Sequence, residues 1–161
     1  MTGVQTCALP ILIESLRRKK DVLTDILKLS EEQSLLLDDP NLEPDTFEKN
    51  VNRKAALIDK LEQLDTGFES LYDKVKEELE SNRDIHKEQI RQMQELIRAL
   101  TELNMQIQAT EARNKEKATA KFAYIRQQAK EIRSSQKIVK EYYNNMMHKA
   151  YNEPHFLDNK K

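Results

Sequence analysis

The chain has 161 residues and a formal net charge of −1, with only two glycines, four prolines and no tryptophan. So few turn residues argue against a β-rich fold, and 34% charged against 38% apolar residues is typical of long helices in contact with solvent. The near-neutral charge does not indicate a nucleic-acid binder, and the chain has no apolar run of about 18 residues that could span a membrane.

The opening stretch MTGVQTCALPI resembles the translated adapter read-through that begins many metagenomic gene models. We therefore expect residues 1–11 to be non-native or a disordered arm, and we attach no meaning to Cys7, the sole cysteine. A single cysteine cannot form an internal disulfide, which fits a reducing compartment.

The first predicted helix covers about residues 10–37. Pro10 suits a first helical turn, and the apolar stripe from Leu12 to Leu27 is interrupted by the polar segment RRKKD. The stretch DDPNLEPD at residues 38–45 ends this helix, because proline lacks a backbone donor and disfavours helix in the residue before it. So short a connection predicts that the flanking helices fold back antiparallel.

The second predicted helix covers about residues 44–80 and the third about residues 83–147. Each carries apolar residues at steps of three and four, which places them on one side of the helix. Near Ser81 the pattern weakens, and we expect a break or a kink there. Residues 12–147 form the predicted helical domain, and residues 148–161 a disordered tail. The fold class is all-α: an elongated antiparallel helical hairpin, or three long helices with coiled-coil-like packing.

Charge is distributed unevenly along the chain. Residues 43–80 contain eleven acids and six bases, whereas residues 112–149 contain ten bases and three acids. Two solvated faces that attract each other when the helices fold back explain this pattern, and a basic arm for an acidic partner is the alternative. The bases are spread around the helix and not focused on one stripe, so we expect no binding to nucleic acid.

No residue pattern indicates catalysis. Phosphate-binding glycine loops and nucleophile elbows need more glycines than the chain has. His86, His148 and His155 lie far apart, without a helical neighbour that could share a metal ion. A thin bundle of helices offers little of the concave pocket that catalysis needs. We therefore expect neither enzyme activity nor a cofactor or a metal.

The order and spacing of five segments resemble the small flagellar type III export chaperones of the FlgN/FliT kind. The segments are LIESLRRKKDVLTDILKLSEEQ (12–33), KAALIDKLEQLDTGFESLYDKV (54–75), IQATEARNK (107–115), SSQKIVKEYYNNM (134–146) and YNEPHFLDNKK (151–161). Each segment alone is only a helical pattern, and none is a catalytic signature.

The resemblance implies a cytoplasmic helical chaperone without ATPase activity. Such proteins hold the C-terminal helical segment of a late flagellar substrate: a hook–filament junction protein for the FlgN kind, the filament-cap protein for the FliT kind. They deliver it to the export gate, a membrane protein, without inserting into the membrane themselves. A tyrosine near the C-terminal end is associated with the gate contact in the FlgN kind, and Tyr142 or Tyr143 matches that region.

The apolar surface on the second and third predicted helices exceeds what the first helix can cover. The surplus can accept an amphipathic helix in a groove, so we predict that twelve residues bind the client, that is, the substrate segment. They are Leu57, Leu61, Leu64, Phe68, Leu71, Val75, Met93, Leu96, Ile97, Leu100, Leu103 and Ile107.

Two alternatives remain open at this point. One is a structural coiled-coil protein that pairs with itself, so that the second copy of a homodimer buries the surplus stripe. Lys54, Asp65 and His86 fall in the seam of such a pairing and would weaken it. The other is a chaperone of a secretion system other than the flagellum.

Overall fold

The computed structural model describes the backbone of residues 2–151 and the side chains of residues 8–147. Three α-helices make up this part of the chain: α1 (Thr2–Asp38), α2 (Pro44–Ser81) and α3 (Lys87–Tyr151). The described residues contain no β-strand, so the predicted all-α fold class is confirmed.

The connection between α1 and α2 lies within the stretch where two prolines predict a break. Glu43 is extended and Pro44 takes the first helical position, where a missing backbone donor costs nothing. The side chain of Asp39 accepts a hydrogen bond from the backbone N–H of Asn41 at 2.8 Å, which closes the turn.

A second turn, at residues 82–86, separates α2 from α3. The backbone N–H of Asn82 donates to the carbonyl of Glu78 at 2.9 Å, and the carbonyl of Asn82 accepts from Ile85 and His86. The His86 side chain is buried, with Nε2 3.4 Å from a carboxylate oxygen of Glu78. The chain therefore changes direction near Ser81, where the apolar pattern weakens.

The two ends of the helical region differ from expectation. α1 begins at Thr2 and not near residue 10, and it continues through Pro10. Ala8 and Leu9 are buried because they extend the apolar stripe of α1 by one more turn. Whether residues 1–11 are native stays a prediction. At the other end α3 continues to Tyr151, and the rest of the predicted tail lies outside the described residues.

The chain divides into two compact units, Met1–Lys117 (unit 1) and Ala118–Lys161 (unit 2). Unit 1 holds α1, α2 and the first part of α3 around one hydrophobic core. In it α1 lies antiparallel to α2: its first half lines a groove with Phe68, whereas Gln33 near its end bonds Asn50. The α3 segment runs parallel to α1, because Arg17 lies near Leu96 and Ser30, later in α1, bonds Glu111, later in α3.

Helix α1 supplies most of the core. Leu9, Leu12 and Leu23 are at most 2% exposed, and Val75 of α2 is the fourth apolar side chain buried to that extent. Unit 2, taken by itself, contains a single described element, the α3 segment from residue 118 to Tyr151.

Candidate functional site

The twelve residues predicted to bind a client lie in unit 1, and most of them pack within the bundle. Val75, Met93 and Leu100 are buried, and Ile97 is 48% exposed. The other eight are half-buried against the core: Leu57, Leu61, Leu64, Phe68, Leu71, Leu96, Leu103 and Ile107. A client could reach the three buried side chains only if the bundle opened. Their role as client contacts stays a prediction.

Helix α1 covers this surface because it is longer and more apolar than the sequence analysis assumed. A first helix of residues 10–37 is too short to cover the apolar stripes of both the second and the third predicted helix. In the structure it spans 37 residues, and Leu9, Leu12, Ile13 and Leu16 bury a continuous apolar edge. Most of the surplus surface predicted for unit 1 is therefore used by the chain itself.

A groove lies between α1 and α2. It is a largely apolar groove whose floor includes Leu12, Leu64 and Phe68. Gly67 lies at its edge, and a Cβ added there would meet no atom within 4 Å. Phe68 and Tyr72 stack with ring centroids 5.8 Å apart beside it. The groove can take a few side chains, but it is short compared with a whole client helix.

A polar cluster ties the three helices together at the other end of the bundle. The Ser30 hydroxyl donates to Glu111 at 2.5 Å, and the Lys54 ammonium pairs with the same carboxylate. Asn114 donates to the Ser30 carbonyl at 2.8 Å, and Gln33 accepts from both Lys54 and Asn114. These partners lie on three different helices. All of the hydrogen bonds can therefore form at once only when α1, α2 and α3 are held in one alignment.

The charge of Glu111 is stabilised within this cluster. Burial by itself raises the pKa of the carboxyl group, but hydrogen bonds from Lys54 and Ser30 and the Lys54 charge outweigh it. The pKa of Glu111 therefore lies below its ordinary value, and the carboxylate is ionised at neutral pH.

The three polar residues expected to weaken self-pairing contact oppositely charged or hydrogen-bonding side chains of their own chain. Lys54 pairs with Glu111, and Asp65 accepts from Lys19 at 2.5 Å. His86 lies beside Glu78, as described above. These contacts favour packing within one chain over a zipper formed by two copies of α2.

Unit 2 presents a different surface. Ten large apolar or aromatic side chains between residues 122 and 147 are 40–69% exposed. They are Phe122, Tyr124, Ile125, Ile132, Ile138, Val139, Tyr142, Tyr143, Met146 and Met147. Exposed apolar surface of this extent is typical of interaction sites.

Within that set, four residues share one side of the helix. Ile125, Ile132, Val139 and Tyr143 follow at steps of seven, seven and four, and we name them the apolar stripe. The last three line a shallow groove along the helix surface. The polar side chains of Gln128, Ser135 and Gln136 line the same groove.

The two tyrosines predicted to contact the export gate lie on this segment. Tyr142 is 69% exposed and Tyr143 is 57% exposed. Consecutive residues point about 100° apart on a helix, so Tyr143 belongs to the apolar stripe and Tyr142 lies beside it. Both side chains are accessible to a partner, and their gate contact stays a prediction.

Five basic residues form a second stripe that the sequence analysis missed. Arg126, Lys130, Arg133, Lys137 and Lys140 follow at steps of four, three, four and three, which places them on one side of the helix. We name them the basic ridge. It lies about a quarter of a turn from the apolar stripe. The expectation of scattered bases is wrong for this segment, because its five bases repeat at the same helical spacing as a stripe of apolar residues would.

The basic ridge has no ion-pair partner in the part of the chain whose side chains are described, although Glu141 follows Lys137 by four residues. All five side chains are exposed, and none of them takes part in an ion pair with another residue between 8 and 147. The positive charge of unit 2 is therefore presented to solvent next to exposed apolar surface.

Comparisons with known proteins identify the family. A family model described as FlgN protein matches residues 1–148. No curated protein and no solved structure matches the chain. Across the helices that the structure describes, none is long and apolar enough to cross a membrane. In the same part of the chain, no three His, Cys, Asp or Glu side chains gather where they could hold a metal ion.

Proposed function

We propose a function for this chain from the premise that it belongs to the FlgN family, which the match over residues 1–148 shows. The chain is thus a flagellar chaperone, and the alternative of a different secretion system falls away. The proposal adds that it works in the cytoplasm, binds the C-terminal helical segment of a hook–filament junction or filament-cap protein, and delivers it to the export gate. No catalytic step is part of this function.

The client helix binds along the apolar stripe of unit 2. The observation that carries this assignment is the set of ten exposed apolar side chains between residues 122 and 147. An amphipathic client helix carries its own apolar residues at steps of three and four, and they can pack against Ile132, Val139 and Tyr143. The half-buried residues of unit 1 then have a secondary role, limited to the groove beside Gly67.

Binding through one exposed helix face suits a carrier that must release its cargo. The substrate segment is disordered before it binds, and ordering it costs free energy. We therefore expect moderate affinity, with Kd from roughly micromolar to tens of nanomolar. Tyr142, beside the stripe, remains accessible for the gate contact proposed for Tyr142 or Tyr143.

Titration calorimetry tests this assignment. The full chain is titrated with C-terminal segments of junction and cap proteins from the same genome. Val139→Asp places a charge in the apolar stripe, and the matched control Ser134→Asp places the same charge on the far side of the helix. Both sites are exposed, so neither change should unfold the protein. We expect Val139→Asp to weaken binding at least about tenfold and Ser134→Asp to have little effect.

Equal loss in the two variants, or unchanged binding in Val139→Asp, would place the client elsewhere. The variant Leu61→Asp tests the groove predicted on unit 1 in the same titration. A stable dimer by light scattering that is lost in Val139→Asp, without binding of any segment, would favour the self-pairing structural protein.

A further inference from the structure

We infer that the basic ridge of unit 2 selects a client helix with an acidic edge. The partner is thus an amphipathic helix that carries Asp or Glu residues about a quarter of a turn from its apolar stripe. This inference rests on the proposed function, and it adds the charge of the client and the direction in which the client is held.

Unit 2 carries an excess of positive charge. Between residues 118 and 147 the chain has six bases and only two acids, and five of the bases form the ridge. The bases extend over fifteen residues, from Arg126 to Lys140, and the first and last are about 21 Å apart along the helix. A client that lays its apolar face on the stripe brings one of its edges next to the ridge. Acidic residues on that edge would gain favourable contacts, whereas basic residues would be repelled.

The ridge flanks the apolar stripe on one side only. On the other side lie Tyr124, Glu131, Ile138 and Tyr142. A client with one acidic edge therefore fits in the direction that brings this edge to the ridge. If the client helix runs the opposite way, its acidic edge lies near Glu131, and the like charges repel each other. Charge thus fixes which way the client runs, which the apolar contacts alone do not.

Other occupants fit the surface less well. A second copy of unit 2 would bring ridge against ridge in an antiparallel pair. In a parallel pair it would offer the ridge a single acid, Glu131, on the facing edge. An anionic membrane would have to bury the polar side chains of Ser135 and Gln136, which line the groove, and hydrocarbon offers them no hydrogen-bond partner. A protein helix can offer such partners.

The experiment uses a ridge variant of the full chain in which all five bases are replaced by Gln. A matched control removes the same charge from unit 1, at five exposed bases that have no ion pair in the described part of the chain. These are Lys49, Arg53, Lys60, Lys74 and Arg98. The probes are the C-terminal junction and cap segments, each as the natural peptide and with its Asp and Glu residues changed to Asn and Gln.

We expect the ridge variant to bind the natural segment at least about tenfold more weakly, since five exposed charge pairs each add a small amount. The unit 1 control should bind within about twofold of the unchanged chain. Neutralising the acids of the segment should weaken binding to the unchanged chain but not to the ridge variant. Raising the salt concentration to about 1 M should remove the difference between the two proteins.

Equal binding by the ridge variant, or a bound segment that lacks an acidic edge, would overturn the inference and leave the proposed function intact. Ridge-dependent binding to vesicles of anionic lipid, with no ridge dependence for the segments, would also overturn it. Failure of every segment to bind the unchanged chain would overturn the proposed function itself.

Discussion

Replacing Leu12 by Ala tests whether α1 holds unit 1 together. The side chain of Leu12, in α1, has no exposed surface and lies near Leu64 of α2. Truncating a fully buried leucine removes its transfer free energy and leaves a cavity, at a cost of about 2–5 kcal/mol. For a bundle of this size, each kcal/mol lowers Tm by roughly 3–5 °C. We therefore expect Tm to fall by about 6–25 °C.

Circular dichroism at 222 nm, followed through thermal and urea unfolding, measures this change. Leu35→Ala is the matched control, because it makes the same truncation in the same helix at a side chain that is 73% exposed. The control should change the free energy of unfolding by less than about 0.5 kcal/mol. If both variants lose equal stability, or if Leu12→Ala loses none, α1 is not buried against α2 and α3 as described.

Three further variants test other parts of the account. Gly67→Ala should raise the free energy of unfolding by up to about 1 kcal/mol, because glycine is a poor helix former and an added Cβ meets no atom; a destabilised variant in urea unfolding would show that the groove is closed. The lowered pKa of Glu111 means that its carboxylate stabilises the bundle above the ordinary pKa of 4.5 and that this contribution is lost as the pH falls through the lowered value. Glu111→Gln should therefore flatten the acid side of the stability profile, and an unchanged profile would contradict the pairing with Lys54. Changing Tyr142 and Tyr143 to Phe keeps the apolar surface, so client affinity in calorimetry should hold while binding to the purified cytoplasmic part of the gate falls; loss of client binding instead would place the hydroxyl groups in the client site.

Apolar spacing was sufficient to predict the helices but not their partners. The steps of three and four through Leu57 and Val75 identify the buried side of α2. The same pattern fits burial against α1, against a second copy or against a client, because it specifies a face and not what covers it. In unit 1 this face of α2 packs against a core supplied mainly by α1, which begins at Thr2 and not near residue 10.

The start of α1 was open to prediction on physical grounds. Leu9, Leu12, Ile13 and Leu16 continue one apolar stripe through Pro10, and a proline inside a helix weakens the backbone ladder without ending every helix. Packing against α2 and α3 favours the continued helix over the propensity of single residues.

The roles given to the predicted site residues stay predictions, but the structure shows how accessible each residue is. Tyr142 and Tyr143 lie on exposed surface, whereas Val75, Met93 and Leu100 are buried. Apolar spacing alone does not reveal the basic ridge. The helical period also has to be applied to the charged residues, which identifies Arg126, Lys130, Arg133, Lys137 and Lys140.

Hydrogen exchange read by mass spectrometry, with and without a bound C-terminal client segment, tests the central claim most directly. A single helix segment with exposed side chains exchanges quickly, and a client laid along it slows that exchange. The account predicts new protection concentrated in residues 122–147, with unit 1 unchanged. New protection in residues 57–75 and 93–107, with residues 122–147 unaffected, would contradict it and return the client to the groove predicted from the sequence.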